Sequence, residues 1–398
     1  MNKQATLFDA QRALMGDAMK LTVQSLTNYG ARYPHWAIAY SGGKDSTALV
    51  TMVLALLDQG AIPAPQSLTV LYADTRMELP PLHQGALATL QVVRDRGFQA
   101  LRVLPALDAR YLVYMLGRGV NPPKNRFRWC TPQLKVEPML RAMAALRAET
   151  GHKILMLTGV RMGESVMRDQ RIALSCSRDG SECGQGWFQT AKSEAIADTL
   201  APLLHWRVCH IWDWLMHYGR KICPSVALVA QVYGDDEAEE INARTGCIGC
   251  PLASRDTALD ALLRHAEWAY LAPLKRLRPL YTGLWSAPRK QKVGERKKDG
   301  QYTANPGRKG PLTLATRRRA LSDILAIQSA VNLSAAQQAR PPIDLLNPEE
   351  LARIHALLGE RTYPQRWSDA DPDASPYLPQ YYPGTIQFSL FSAEETSW

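Results

Sequence analysis

The segment Trp36–Leu57 restricts the fold more than any other. The apolar run Trp36-Ala37-Ile38-Ala39-Tyr40 leads straight into Ser41-Gly42-Gly43-Lys44-Asp45-Ser46, and a second apolar stretch follows from Thr47 to Leu57. This order predicts a strand, a tight loop and a helix. Gly42 and Gly43 permit backbone angles closed to other residues, so their amides can turn toward a ligand. The first turn of the helix adds unpaired N–H groups and a partial positive charge, and Lys44 adds a full one. Ser41 and Ser46 bring hydroxyls, and Asp45 can hold Mg²⁺ or cap the helix. The loop is therefore a phosphate cradle. It is not a Walker A loop, which needs a glycine five residues before its Gly-Lys pair; Trp36–Tyr40 contains none.

Further strands are expected at Ser67–Ala73, Gln99–Leu104 and Lys153–Leu157, with helices at Pro80–Gly97 and Pro138–Thr150 between them. Alternation of this kind predicts a parallel sheet with helical crossovers, an α/β fold. Ligands of such sheets bind at the carboxyl ends of the strands. Three polar clusters fall at such ends: Ser41 to Ser46, Asp74-Thr75-Arg76-Met77-Glu78, and Thr158-Gly159-Val160-Arg161-Met162-Gly163-Glu164. Asp74 has a plainer alternative role as the cap of the next helix.

Outside the sheet, helices are expected from Leu7 to Tyr29, Trp206 to Tyr218, Thr257 to Leu284 and Ala315 to Ala330, with one more opening at Pro348-Glu349-Glu350. The chain divides into an N-terminal helical segment (1–35), a nucleotide domain (36–225), a C-x-x-C and helical region (226–285), a basic linker (286–320) and a helical C-terminal region with its tail (321–398). The start of the chain lacks an apolar signal core, and its longest apolar stretch is too short to span a bilayer. A cytoplasmic protein with no membrane partner is expected.

Seven cysteines in such a compartment are expected to be reduced. Cys247-Ile248-Gly249-Cys250 has the spacing of a metal clip, and Cys176 and Cys183 stand seven apart in an earlier segment. Four thiolates at Cys176, Cys183, Cys247 and Cys250 suit tetrahedral zinc or a four-iron cluster. Cys223 is an alternative to Cys176, and Cys209 reads as core. Cys130 stands apart, with Lys124, Arg126, Arg128 and Lys135 near it in sequence. Positive neighbours favour the thiolate, so a persulfide carried on Cys130 is a candidate role.

The net charge of +10 favours a polyanionic partner. Cations concentrate between Pro288 and Ala320, at Arg289, Lys290, Lys292, Arg296, Lys297, Lys298, Arg308, Lys309, Arg317, Arg318 and Arg319. This basic segment, 288–320, is the expected contact for a nucleic-acid backbone.

The loop Ser41–Ser46 resembles the PP-motif of the N-type ATP pyrophosphatases, the α-hydrolase superfamily of sulfonucleotide reductases and tRNA-thiolating enzymes. That resemblance implies a five-stranded parallel α/β sandwich, with ATP split to AMP and pyrophosphate through an adenylylated intermediate. Asp74, Thr75 and Glu78 match the D-T-x-x-E of the sulfonucleotide reductase branch, which implies contact with the adenosine, ribose or metal. Gly159, Arg161 and Glu164 match its G-V-R-x-x-E-S, which implies a backbone approach to the nucleotide, a phosphate-binding arginine and a carboxylate orienting that arginine or the following loop. Trp129-Cys130-Thr131 with Leu134-Lys135 matches its W-C-T-x-x-L-K, which implies that Lys135 reaches the phosphates.

Reductases of that branch end in a segment carrying a catalytic thiol. No cysteine follows Cys250 here, so simple sulfonucleotide reduction is not expected. The set, over Trp36 to Leu252, is most similar to the ATP pyrophosphatases of DNA phosphorothioation, the DndC and SspD families. It departs from DndC in the wider spread of its cysteines. The resemblance implies an iron–sulfur cluster rather than zinc, a cysteine desulfurase as sulfur donor, further phosphorothioation subunits as partners, and a role in phage defence. Thiolation of tRNA, with the same ATP chemistry, is the competing reading.

Overall fold

A computed structural model describes residues 14–164, 166–175, 182–191, 195–233, 247–291, 309–374, 380–382 and 385–387. Strand β1 (His35–Tyr40) lies in the middle of a six-stranded sheet, with Trp36, Ala37, Ile38 and Tyr40 all buried. A strand covered on both faces reads as a continuous apolar run, which is what the sequence shows. The other strands are β2 (Ser67–Ala73), β3 (Gln99–Val103), β4 (Ile154–Leu157), β5 (Trp187–Gln189) and β6 (Ala197–Ala201), in the order β3-β2-β1-β4-β6-β5. Five of them are mutually parallel, as expected, and β5 adds an antiparallel edge beside β6. Ile38 is in register with Val70 on one side and Leu157 on the other. The ends of β1, β2 and β4 therefore open on one crevice, at the point where connections leave β1 in both directions.

Strand β6 is not legible as a strand because Asp198 interrupts its apolar pattern. That carboxylate is 3% exposed and satisfied from three sides: the Tyr33 hydroxyl, the Ala191 amide at 2.7 Å and an ion pair with Lys153 at 2.7 Å. A buried charge so compensated sits in a sheet without penalty large enough to exclude it.

Helix α1 (Met15–Gly30) begins inside the expected span; the part before residue 14 lies outside the described residues. Helix α2 (Lys44–Asp58) starts in the loop and is buried continuously from Ser46 to Leu56, so it is the central helix of the core. Helix α3 (Pro80–Asp95) takes Leu79 as its cap, so Asp74 does not serve that role. Helix α4 (Glu137–Thr150) ends on Gly151 at φ +70, the left-handed stop that glycine accepts.

The long helix expected from Thr257 to Leu284 is three pieces: helix Thr257–Leu262, a 3₁₀ segment Ala266–Arg276 and helix Leu277–Gly283. Pro273 and Pro279 lack the amide that an uninterrupted helix needs. Helix Leu314–Gln337 opens on a Thr313 cap, and helix Pro348–Gly359 on a reciprocal Asn347–Glu350 capping box. Ile324, Val331, Ile354 and Leu357 from these helices share one core with Ile38 and Met52. No helix among the described residues is long and apolar enough to cross a membrane.

Residues 292–308 of the basic segment lie outside the described residues; short antiparallel strands Arg289–Gln291 and Lys309–Leu312 flank them. Two cations counted with this segment are internal. Lys290 donates to the carbonyls of Asp369 and Asp371 at 3.1 and 2.9 Å and pairs with Asp373 at 2.9 Å. Arg317 is 0% exposed and donates to the carbonyls of Gly117 and Thr362 at 2.7 and 2.8 Å. Both hold the fold, which corrects their expected place on a polyanion-binding surface. Arg318 and Arg319 face solvent.

Candidate active site

The loop after β1 is organised by its own hydroxyls. Ser46 Oγ accepts from the Ser41 amide at 3.2 Å, lies 3.1 Å from Ser41 Oγ and donates to the Gly43 carbonyl at 3.0 Å. Gly42 takes φ +76, and a Cβ there would meet Ala86 Cβ at 3.3 Å. Gly43 caps α2 with no side-chain hydrogen bond. The helix therefore keeps the unpaired amides and partial charge of an anion-binding terminus.

Asp45 does not cap the helix. Its two oxygens take Arg161 Nε at 2.6 Å and Lys44 Nζ at 2.8 Å. Burial disfavours the charge on Asp45, but the Lys44 and Arg161 cations outweigh it and hold the carboxyl below the usual range. Lys44 is 2% exposed and also sits 5.1 Å over the Tyr233 ring. Arg161, 2% exposed, has its Nη1 buried with no partner. A charged donor left so among the described residues fits an incoming anion.

Gly159 has a packing role besides the expected approach to the nucleotide. A Cβ there would lie 2.9 Å from the Asp45 carbonyl carbon and 3.0 Å from the Ser46 amide nitrogen. The end of β4 is thus pressed on the backbone of the phosphate loop, which sets Arg161 against Asp45. Glu164 pairs with Arg168 in the segment that follows and lies within electrostatic reach of Arg161. Burial and the Asp45 charge push the Glu164 carboxyl up.

At the end of β2, Asp74 and Thr75 are fully buried. Asp74 binds Arg102, and its other oxygen accepts the Arg76 amide at 2.8 Å. Thr75 holds Glu78 through its hydroxyl at 2.6 Å and its amide at 3.1 Å. Burial pushes the Glu78 carboxyl up, with Thr75 acting against it. Arg76 adopts φ +65, a strained angle for a residue with a side chain. Its guanidinium forks onto Glu350 with both contacts at 3.2 Å, so a C-terminal helix anchors this loop.

These elements enclose a cleft of about 370 Å³, a size suited to a nucleotide-like ligand. Ser41, Gly43, Asp45 and Ser46 line it from the phosphate loop. Glu78, Gly159, Val160, Glu164 and Arg168 line it from the other two strand ends. Lys135 enters from a π-type turn, Pro132–Val136, a distortion common at functional sites. Gly42, Lys44, Asp74, Thr75 and Arg161 do not line this cleft; Thr75 supports Glu78, and Asp74 lines a neighbouring cavity with Arg76 and Glu78.

Cys247 also lines the cleft. Its loop is tied to the β2 loop through the Ile248 amide, which donates to the Met77 carbonyl at 2.7 Å. Gly249 takes φ +64, and its missing Cβ leaves room for Leu277. Burial pushes the Cys247 thiol up to about 12, while Lys135 acts against it and Cys250 and Cys130 add to it. Cys130 is likewise pushed up by burial, with Cys250 contributing. This corrects the expected thiolate: Lys124, Arg126 and Arg128 are exposed, and Lys124 stacks over Trp285 instead.

The cysteines therefore gather differently from the expected set. Cys130, Cys247 and Cys250 are within electrostatic reach of one another. Cys183 is disulfide-bonded and lines a separate cavity with Asn28, Tyr29 and Arg32, against the expectation that all seven are reduced. Cys176 lies outside the described residues. Cys223 is buried between Thr89 and Ser225 and Cys209 is exposed, so neither takes its anticipated place. Among the described residues, no three His, Cys, Asp or Glu side chains close on a single ion. The grouping of Cys130 with the C-x-x-C pair escaped the sequence reading because 117 residues separate Cys130 from Cys247.

A search of curated proteins gives no match. Among solved structures, the chain is similar to phosphoadenylyl-sulfate (PAPS) reductase from Candida auris in its phosphate complex, at 13% identity and a TM-score of 0.36 over 56% of this chain and 93% of that one. It is also similar to the U34-tRNA thiolase NcsA from Methanococcus maripaludis with its [4Fe-4S] cluster, at 11% identity and a TM-score of 0.34 over 68% of this chain and 78% of that one. Residues 35–251 match the phosphoadenosine phosphosulfate reductase domain, a span that holds every residue of the cleft. The chain belongs to the phosphoadenosine phosphosulfate reductase domain family.

Proposed function

We propose that the chain is an ATP pyrophosphatase that activates a DNA backbone phosphate for sulfur insertion, in a phosphorothioate modification used against phage. The observation that carries this reading is a single cleft holding both a phosphate cradle and Cys247. Nucleotide activation and sulfur delivery then share one site.

In this reading the loop amides, Lys44 and Arg161 Nη1 bind the phosphates of ATP. A non-bridging oxygen of the DNA phosphate attacks the α-phosphorus of ATP. The bond from that phosphorus to the α,β-bridging oxygen breaks, and pyrophosphate leaves with its charge balanced by Lys44 and the α2 amides. A persulfide sulfur supplied by a cysteine desulfurase attacks the activated DNA phosphorus, and AMP departs. A second thiol opens the remaining sulfur–sulfur bond as a disulfide, leaving the phosphorothioate. Asp45 holds Lys44 and Arg161 in place throughout.

Glu78 and Glu164 offer the oxygen donors that suit Mg²⁺, which commonly binds through one or two carboxylates and substrate phosphates. When bound, it neutralises charge on the phosphates. Cys130, Cys247 and Cys250 are the residues suited to an iron–sulfur cluster, which spreads its thiolates wider than a single ion does. That set replaces the one that included Cys176 and Cys183. A bound cluster would hold or pass on sulfur at the cleft.

The test uses cells carrying the chain with its sulfur donor and partner subunits. Iodine cleaves phosphorothioate DNA, so wild type is expected to yield cleaved genomic DNA and Lys44→Ala intact DNA. Thiolated nucleosides in tRNA, with DNA resistant to iodine, would instead make tRNA the acceptor and sink the DNA reading.

A further inference from the structure

Tyr111 carries a buried hydroxyl that the fold leaves without a partner. The residue is 4% exposed, and its oxygen has no hydrogen bond among the described residues. Burying a hydroxyl without a hydrogen bond is unfavourable, so such a group calls for a ligand. Its surroundings say which kind.

The ring is fixed on two sides. It stacks on Trp129 at 5.3 Å and meets Tyr281 edge-on at 5.5 Å. Trp129 is itself held by its indole N–H, which donates to the Asn121 carbonyl at 3.0 Å, and it immediately precedes Cys130. Tyr281 lies one helical turn beyond Leu277, the residue against which Gly249 of the C-x-x-C loop packs. The phenol is thus clamped between the segment carrying Cys130 and the helix supporting Cys247 and Cys250. Its oxygen lies within electrostatic reach of all three thiols. A phenol is protonated at neutral pH and can donate.

We propose that the Tyr111 hydroxyl is the hydrogen-bond donor to the sulfur of an iron–sulfur cluster held at Cys130, Cys247 and Cys250. The proposal rests on the cluster reading above. Hydrogen bonds to cluster sulfur stabilise the more negative, reduced state and raise the reduction potential. Tyr111 is then a positioning and tuning residue of the sulfur site, acting on the cluster and not on ATP.

The experiment compares the full chain with Tyr111→Phe, which keeps the ring and removes only the hydroxyl. Both are incubated anaerobically with ferrous iron and sulfide. Iron content, the sulfur-to-iron charge-transfer absorption and the reduction potential are then measured. Tyr111→Phe is expected to bind as much iron as wild type, with a shifted charge-transfer band and a more negative potential. Before iron is added, it is expected to melt no lower than wild type, because it has lost an unsatisfied group. Equal potentials and bands in the two loaded proteins would overturn the Tyr111 proposal and leave the cluster standing. Absence of iron uptake by wild type would instead remove the cluster reading, and this proposal with it.

Discussion

Gly159 has no room for a side chain, because the Asp45 and Ser46 backbones stand 2.9–3.0 Å from where its Cβ would be. Backbone atoms cannot swing aside as a side chain can. Gly159→Ala is therefore expected to cost roughly 1–3 kcal/mol of stability, measured by urea unfolding, and to lower ATP turnover as the loop shifts. Arg161→Lys is expected to keep the charge beside Asp45 but lose the second arm of the fork. Steady-state kinetics should show kcat/KM for ATP lower by roughly 10²-fold, the scale of one lost donor to developing charge. At this scale the sequence was most informative where chemistry is local. Ser41, Gly43, Asp45 and Ser46 of the loop, with Glu78, Lys135, Gly159 and Glu164, all line one cleft. What it could not convey were pairings across the chain, such as Asp45 with Arg161. Those depend on the distance between strand ends, which no local pattern encodes.

Helix Pro348–Gly359 is the element through which the C-terminal region reaches the site. Glu350, 2% exposed, receives both Arg76 from the β2 loop and Arg110. Glu350→Ala leaves two partly buried guanidiniums without that partner, and urea unfolding should show a loss of about 3–5 kcal/mol. Glu350→Gln keeps the shape and one hydrogen bond, so its loss should be smaller. The same helix is tied by Arg353 to Asp108, with contacts at 2.6 and 2.9 Å. The Arg353 hydrogen bonds, against some burial and with help from Arg118, lower the Asp108 pKa to about 2. A depressed carboxyl contributes stability that is complete above its unfolded value of about 4 and lost as pH falls through the folded one. Hydrogen-exchange protection factors in this helix, taken against the intrinsic rate at each pH, should therefore fall between about pH 4 and 2 in wild type, and lose that acid step in Arg353→Ala. The pair is partly exposed, so the effect is modest and should shrink in salt. The start of this helix was visible as Pro348-Glu349-Glu350, but its attachment to the β2 loop was not. Strand β6 was invisible for the opposite reason, since Asp198 looks like a surface residue until Tyr33 and Lys153 are seen around it.

Across the whole molecule, charge and fold separate into two classes of cation. Lys290 and Arg317 hold carbonyls in the interior, whereas Arg296, Lys297 and Lys298 lie in the part of the basic segment outside the described residues. Neutralising Arg296, Lys297 and Lys298 should weaken DNA binding and flatten its dependence on log salt by about one unit per phosphate contact removed, with the melting temperature unchanged. Replacing Arg317 should lower the melting temperature first. An unchanged salt slope in the triple variant would exclude this segment as the DNA contact. The parallel sheet was legible from alternating strands and helices, but the shared core was not. The C-terminal helices carry no motif; their packing in one core with Ile38 and Met52, together with the ion pairs of Glu350 and Arg353, joins them to the sheet and its loops. The proposed reaction splits ATP between its α and β phosphates. ATP labelled at the α-phosphate, incubated with the purified chain, Mg²⁺, DNA and a persulfide donor, tests it. The account predicts labelled AMP and free pyrophosphate in equal amounts, both abolished in Lys44→Ala; labelled ADP with inorganic phosphate would contradict it.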